Sequence, residues 1–407
     1  MLKRIHALHI VAVALLIATV GLIHAQPPRS DESPRAADQT DFSVRMYQTL
    51  GQDGGNLCFS PYSISSALGM TYSGARGDTA TQMAQALSLD ADPQKAAAEL
   101  TRIKNHLHAA AKASGLKLNV ANALCQTGGG VGQAYLALLK QQYDAEVFDG
   151  DLEAINNWVK EKTEGKIKKI LNQLSADSVC VLLNAVYFKG QWASQFDKEQ
   201  TSEQDFRVDE DTTVKVPLMS QKTRLAYLKT NELQMISMPY EGGKFSMVVL
   251  LPREADGLAN LEEDLTAPQM RRWLAQLNRR YGREVVVQLP RFKIETDYNL
   301  VPAFKRLGME DAFALGRADF RGMGASQDLC ISQIKHKVFC EVNEEGTEAA
   351  AATAVAIEES AVISRPEVFR ADHPFLYLIR DNDTNTILFM GRMANPVAGE
   401  EAADENA

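Results

Sequence analysis

Between Asn343 and Val362 the chain reads NEEGTEAAAATAVAIEESAV. Alanine is the best helix former, so Ala349 to Ala352 should extend a helix. A Gly-Thr pair opens the run, however, and β-branched Val355, Ile357, Val362 and Ile363 close it. It carries too few large apolar side chains to anchor a core helix and too few charges for a solvated one. A fold that includes this chain must have a use for a long, small-residue segment just before its last strands.

The remainder reads as an ordinary globular protein. Of 407 residues, 45% are hydrophobic and 23% charged, and a net charge of -9 argues against a nucleic-acid partner. Lys160, Lys162, Lys166, Lys168 and Lys169 are interleaved with Glu161 and Glu164, which reads as a solvated helix face. Lys3 and Arg4 precede an uncharged run, Ile10 to Ile23, and Ala25 is small. That pattern predicts a signal peptide over residues 1–25 and a secreted, extracellular product, with periplasm and cell surface compatible, and no membrane contact after its removal. The Pro- and Ser-rich residues 26–40 read as a disordered linker, and 398–407 as an acidic disordered tail. Cys58, Cys125, Cys180, Cys330 and Cys340 are odd in number, widely spaced and set in apolar contexts, so they read as buried hydrophobes.

From Thr40 to Val397 there is neither a linker-like break nor a repeat. The first half alternates helical and strand-like patterns: DFSVRMYQTL reads as a helix, Ser60-Pro61 as a helix start, and INNWVKEKTEGKIKKIL as a helix with its indole on the apolar side. The second half is mostly strands, and DNDTNT before Ile387 reads as a hairpin turn. Helices mixed with largely antiparallel strands imply an α+β fold.

Catalytic patterns are weak. Outside the leader only His106, His108, His336 and His373 remain, and His106 and His108, two apart on a helix, point to different faces. Neither H-E-x-x-H nor G-x-S-x-G occurs. TGGGVG at Thr127 to Gly132 lacks the Lys-Ser/Thr of a phosphate loop, and Asn382-Asp383-Thr384 reads first as a turn and only second as a glycosylation acceptor. No metal and no cofactor is expected, and no enzyme.

Six stretches in order resemble the serpin family of serine protease inhibitors over Asp41 to Val397. They are NLCFSPYSISSALGMTYSGARGDTATQM, INNWVKEKTEGKI, LLNAVYFKGQWASQF, LPRFKIETDYNL, KHKVFCEVNEEGTEAAAATA and PEVFRADHPF with ILFMGRMANP. The resemblance implies a single serpin domain over 41–397, with three β-sheets, a large central one among them, and eight to nine helices. It also implies that residues of about 344–365 form an exposed reactive-centre loop, which a protease takes for substrate and which then inserts into the central sheet. By the same match, the hinge comprises Glu344, Glu345, Gly346, Thr347, Glu348, Ala349, Ala350, Ala351 and Ala352. Trp192 stands where the loop first enters the sheet, and Arg291 is the cation that pairs with Glu344. Ser60, Ser63, Asn184 and His336 match the polar cluster beneath the sheet centre.

The segment itself can be tested against that role. A central strand bonds on both edges and excludes proline; none occurs from Gly346 to Arg365. Side chains alternate faces along a strand. One face would hold Thr347, Ala349, Ala351, Thr353, Val355 and Ile357, uncharged throughout; the other holds Glu348, Ala350, Ala352, Ala354, Ala356 and Glu358. Gly346 gives the hinge backbone freedom. Counting from this glycine by the family spacing puts the scissile bond at Ser360-Ala361, whereas counting back from Pro366 suggests Val362. Small or aliphatic residues there predict an elastase- or subtilisin-like target, and Glu358 and Glu359 keep a Glu-specific protease open.

The expected function is suicide inhibition of a serine protease through a covalent acyl complex, by a monomer. A non-inhibitory serpin acting as a binding or chaperone protein, or an inhibitor of a cysteine protease, is the alternative.

Overall fold

A computed structural model describes residues 39–126, 131–174, 180–280, 282–324, 329–347 and 366–398. The expected signal peptide, nearly all of the linker and tail, most of TGGGVG, and the reactive loop from Glu348 to Arg365 lie outside the described residues.

Among the described residues there are nine α-helices and fifteen strands, an α+β arrangement as the sequence implied. Hydrogen bonds join nine strands in one network, eight in a path and one branching from it, and six in another. Within the nine-strand network, Thr213–Lys229 runs through two layers. Its residues up to Leu225 pair with Ser202–Arg207 and Arg283–Pro290, and Ala226 to Lys229 pair with Leu233–Pro239. The first layer is completed by Glu367–Arg370, parallel to Arg283–Pro290; the second runs on through Phe245–Pro252, Phe375–Asp381, Ile387–Met393 and Leu57–Phe59. The DNDTNT turn joins the hairpin as expected.

The six-strand sheet is the third layer. Its order is Phe292–Asn299, Gln333–Val342, Gly346–Thr347, Cys180–Gln191, Lys117–Gln126 and Glu146–Phe148. Gln333–Val342 and Cys180–Gln191 also pair directly and in parallel, from Gln333/Val181 to Val338/Val186.

Helix Pro61–Gly74 packs under this sheet and is buried on almost every side, with Ser60 as N-cap accepting from the Ser63 amide and Pro61 at the first helical position. Gly69 is needed there because a Cβ would meet the Leu100 side chain at 2.4 Å. On the other face lies helix Leu152–Lys162, capped by Asp151. Its Ile155, Trp158 and Val159 recur at helical spacing and bury against Ala121, Ala123, Val181, Leu183 and Ala185.

INNWVKEKTEGKIKKIL is thus helical only in its first part. The helix ends at Lys162, where Thr163 Oγ1 accepts from the Ile167 amide and Gly165 turns at φ +81°. Lys166 to Leu171 instead cross the sheet face, with Ile167, Ile170 and Leu171 buried and the Lys166 ammonium 5.0 Å from the Phe339 ring centre. The lysine run that reads as one helix face is therefore split between a helix and the strap after it. All five cysteines are buried, and none is in a disulfide among the described residues.

Candidate functional site

The two middle strands of the six-strand sheet are zipped below and parted above. Above Val338 and Val186 their direct pairing stops, and the two-residue strand Gly346–Thr347 stands between them. Thr347 opposes Val342 on one side and Gly190 on the other, and Gly346 opposes Gln191. A Cβ on Gly346 would lie 2.0 Å from the Gly190 carbonyl oxygen. Close approach of two backbones, more than freedom to turn, is what requires glycine here.

Trp192 closes the top of this gap. Its backbone amide donates to Glu345 O at 2.9 Å and its indole Nε1 donates to Asn343 O at 3.0 Å, so one residue grips the turn on both sides. The indole stacks on Tyr240, ring centres 4.6 Å apart and planes 13° apart. The Tyr240 hydroxyl in turn lies 2.7 Å from Thr347 Oγ1.

Glu344 is buried and accepts hydrogen bonds from Arg291 Nη2 and, at 2.7 Å, from Thr201 Oγ1, while its backbone carbonyl accepts from the Phe196 amide. Burial pushes the Glu344 carboxyl up, but the Arg291 and Thr201 bonds outweigh it and hold it below the usual value. Glu345 takes the exposed Lys198 ammonium at 2.6 Å.

Six residues down the same strands, from Val342 to His336 and from Gly190 to Asn184, lies a second constellation, wholly buried. The Ser60 amide donates to His336 Nε2 at 3.0 Å, which fixes that nitrogen as an acceptor and leaves the proton on Nδ1. Nδ1 then donates to Asn184 Oδ1 at 2.5 Å. Asn184 Nδ2 donates to Ser63 Oγ at 2.6 Å and to Asn122 Oδ1 at 2.6 Å, and Asn122 passes a bond to Ser66 Oγ at 2.9 Å. His336 and Asn184 are register partners, the two strands being zipped at this level. Burial pushes the His336 pKa down to about 3.

The structure thus brings Trp192, Arg291 and Glu344 together at the top of the parted strands and joins Ser60, Ser63, Asn184 and His336 by hydrogen bonds below them. Ser360, Ala361, the alternatives Glu359 and Val362, and the hinge from Glu348 to Ala352 lie outside the described residues. Tyr240, Thr201, Lys198, Asn122 and Ser66 were not singled out from sequence. Asn122 had one available signal, an amide side chain in a strand opposite Asn184; Tyr240, far along the chain from Thr347, had none.

A family model described as serpin (serine protease inhibitor) matches residues 37–396. The chain belongs to the serpins. Bovine leukocyte elastase inhibitor is 40% identical to this serpin over 392 residues, 89% of this chain and 99% of the relative. Human serpin B8 is 40% identical over 372 residues, covering 87% and 97%. The crystal structure of maspin superposes with a TM-score of 0.80 at 25% identity, covering 89% of this serpin and 98% of maspin.

These relatives correct one expectation. Leukocyte elastase inhibitor and serpin B8 are intracellular serpins, so secretion, with the periplasm and cell surface as its variants, does not stand. A basic flank, an apolar run and a small residue carried that reading, and such a pattern is not by itself an address.

Proposed function

We propose that this serpin is a suicide-substrate inhibitor of elastase- or subtilisin-like serine endopeptidases. One observation carries the reading: Gly346 and Thr347 already stand as a strand between Val342 and Gly190, directly above a seam where the same two strands still pair with each other. Unzipping that seam through Val338 and Val186 would open room for the residues that follow Thr347, which are small, free of proline and sorted by charge.

The target's serine attacks the Ser360 carbonyl carbon; its proton passes to the target's own base and on to the departing Ala361 amine, leaving an ester. Fourteen or so residues at about 3.3 Å each carry that ester roughly 45 Å along the sheet. About a dozen new backbone hydrogen bonds at ~0.5–1.5 kcal/mol each, with Val355 and Ile357 buried at ~1.5–3 kcal/mol each, rival the ~5–15 kcal/mol that holds a typical domain folded. That is enough to deform the acylated protease before water reaches the ester. Glu344, Trp192 and Arg291 hold the hinge at the mouth, and the Ser60, Ser63, Asn184 and His336 cluster latches the seam below. The inhibitor works as a monomer, and the reacting serine belongs to its partner.

The test is incubation with neutrophil-type elastase, subtilisin, trypsin and a Glu-specific protease, read as detergent-stable adducts and by mass spectrometry of the released peptide. An adduct with elastase or subtilisin and a new N-terminus at Ala361 is expected. Adducts with trypsin alone would overturn the specificity. Clean cleavage by every protease without an adduct would mark a non-inhibitory serpin, and adducts only with a cysteine or Glu-specific protease would move the target class.

A further inference from the structure

Far from the hinge in sequence, the long helix Pro93–Ala113 meets the turn that follows strand Phe375–Asp381. There His106, Asp381 and Asp383 each bring a nitrogen or carboxylate oxygen within 4.8 Å of the others. His106 Nε2 is 3.1 Å from Asp381 Oδ1, the separation expected of two ligands on one ion when bonds of about 2.0–2.2 Å meet near a right angle.

Asp381 is fully buried. Its Oδ1 accepts from the Thr384 amide and hydroxyl as well as facing His106, whereas Oδ2, equally shut off, has no partner among the described residues. A buried carboxylate oxygen without a donor is costly, and a cation is the partner it lacks. The neighbouring Arg380 brings charge but no bond to Oδ2: its Nη atoms donate to the Asn385 and Asn278 amide oxygens, and its buried Nε has no hydrogen-bond partner either. Asp383 is exposed and has the Lys244 ammonium at 3.1 Å, so positive charge already collects at this rim.

We propose that His106, Asp381 and Asp383 form a site for a zinc ion, with water completing the coordination. One imidazole and two carboxylates suit Zn²⁺; Mg²⁺ and Ca²⁺ prefer all-oxygen sets. Lys244 would be displaced from Asp383 on binding. The ion would tie the helix to the hairpin across 275 residues of chain. Through Ser114 that helix leads into the sheet strand Lys117–Gln126, so the ion would brace the native fold.

The test is calorimetric titration of the full chain with Zn²⁺ alone, paired with thermal unfolding. One site per chain and a raised melting temperature are expected, with Mg²⁺ producing neither. H106Q and D383N should each weaken binding by at least about tenfold, and K244M should tighten it. D383N alters an exposed side chain and keeps the test open if H106Q folds poorly. Absence of a one-to-one site, or equal affinity in D383N, would overturn the proposal.

Discussion

The hydroxyls of Thr347 and Tyr240 lie 2.7 Å apart in the gap between the parted strands, and both residues are buried. Thr347→Arg would put a guanidinium into this space, beside the stacked Trp192 and Tyr240 rings. Burying that charge without a carboxylate opposes insertion by several kcal/mol, while the intact chain can relieve it by withdrawing the hinge. The variant should still be cleaved, with the share of protease trapped falling by at least about tenfold, since 1.4 kcal/mol is a factor of ten. Thr347→Val, which loses only the hydroxyl, should keep most of the trapping. Gel quantification of adduct against cleaved inhibitor checks both; undiminished trapping in the arginine variant would count against insertion.

Acid should loosen the latch at His336. An exposed histidine titrates near 6.5, but here burial holds the pKa down to about 3. Above pH 6.5 both folded and unfolded forms are neutral and nothing changes. As the pH falls from about 6.5 towards 3, the unfolded chain takes up a proton that the folded one refuses, so stability drops by up to ~1.4 kcal/mol per pH unit. A proton forced onto Nε2 would also point at the Ser60 amide. Partly buried His108, its pKa likewise lowered chiefly by burial, adds a smaller slope of the same sign. Urea unfolding from pH 7 to 5 should therefore show a shallower slope for His336→Gln than for the parent, although the variant is less stable at pH 7.

Glu344 and Arg291 should differ sharply in what they contribute. The Glu344 side chain is 3% exposed and the Arg291 side chain 45%. Glu344→Gln, whose amide oxygen can still accept from the two donors, should cost about 1–3 kcal/mol; Arg291→Met, which leaves the buried Glu344 carboxylate without its cation, should cost more, about 3–5 kcal/mol. Because the Glu344 pKa is lowered, its stabilisation is present above the unfolded carboxylate range near 4.3 and fades as the pH falls through its lower folded value. Denaturant midpoints of the two variants at pH 7 decide; a loss in Arg291→Met no larger than in Glu344→Gln would show that the buried carboxylate does not depend on the guanidinium.

Much of this was legible in the chain. The Pro61 start, the Trp158 face and the DNDTNT turn are local signals, written within a few residues by capping, periodicity and turn chemistry. For the proposed hinge, the sequence shows a lack of proline and a sorting of charges, and Thr347, on the uncharged face, is buried. What sequence could not give is contact across the fold. Tyr240 reaches Thr347, and His106 reaches Asp381, only after the sheets assemble. The reading of KTEGKIKKIL as helix failed at Gly165, where a left-handed turn and the burial of Ile167, Ile170 and Leu171 on the sheet outweigh helical propensity.

Whether the seam between Val181–Val186 and Gln333–Val338 opens to accept the chain's own loop is best read from heat. The chain should be nicked in the loop with a protease it does not trap, and its thermal unfolding compared with that of the uncut chain. The nicked form should melt at least about 10 °C higher, because several kcal/mol of added sheet bonding translate into shifts of that size. A nicked form that melts at or below the intact chain would contradict the account.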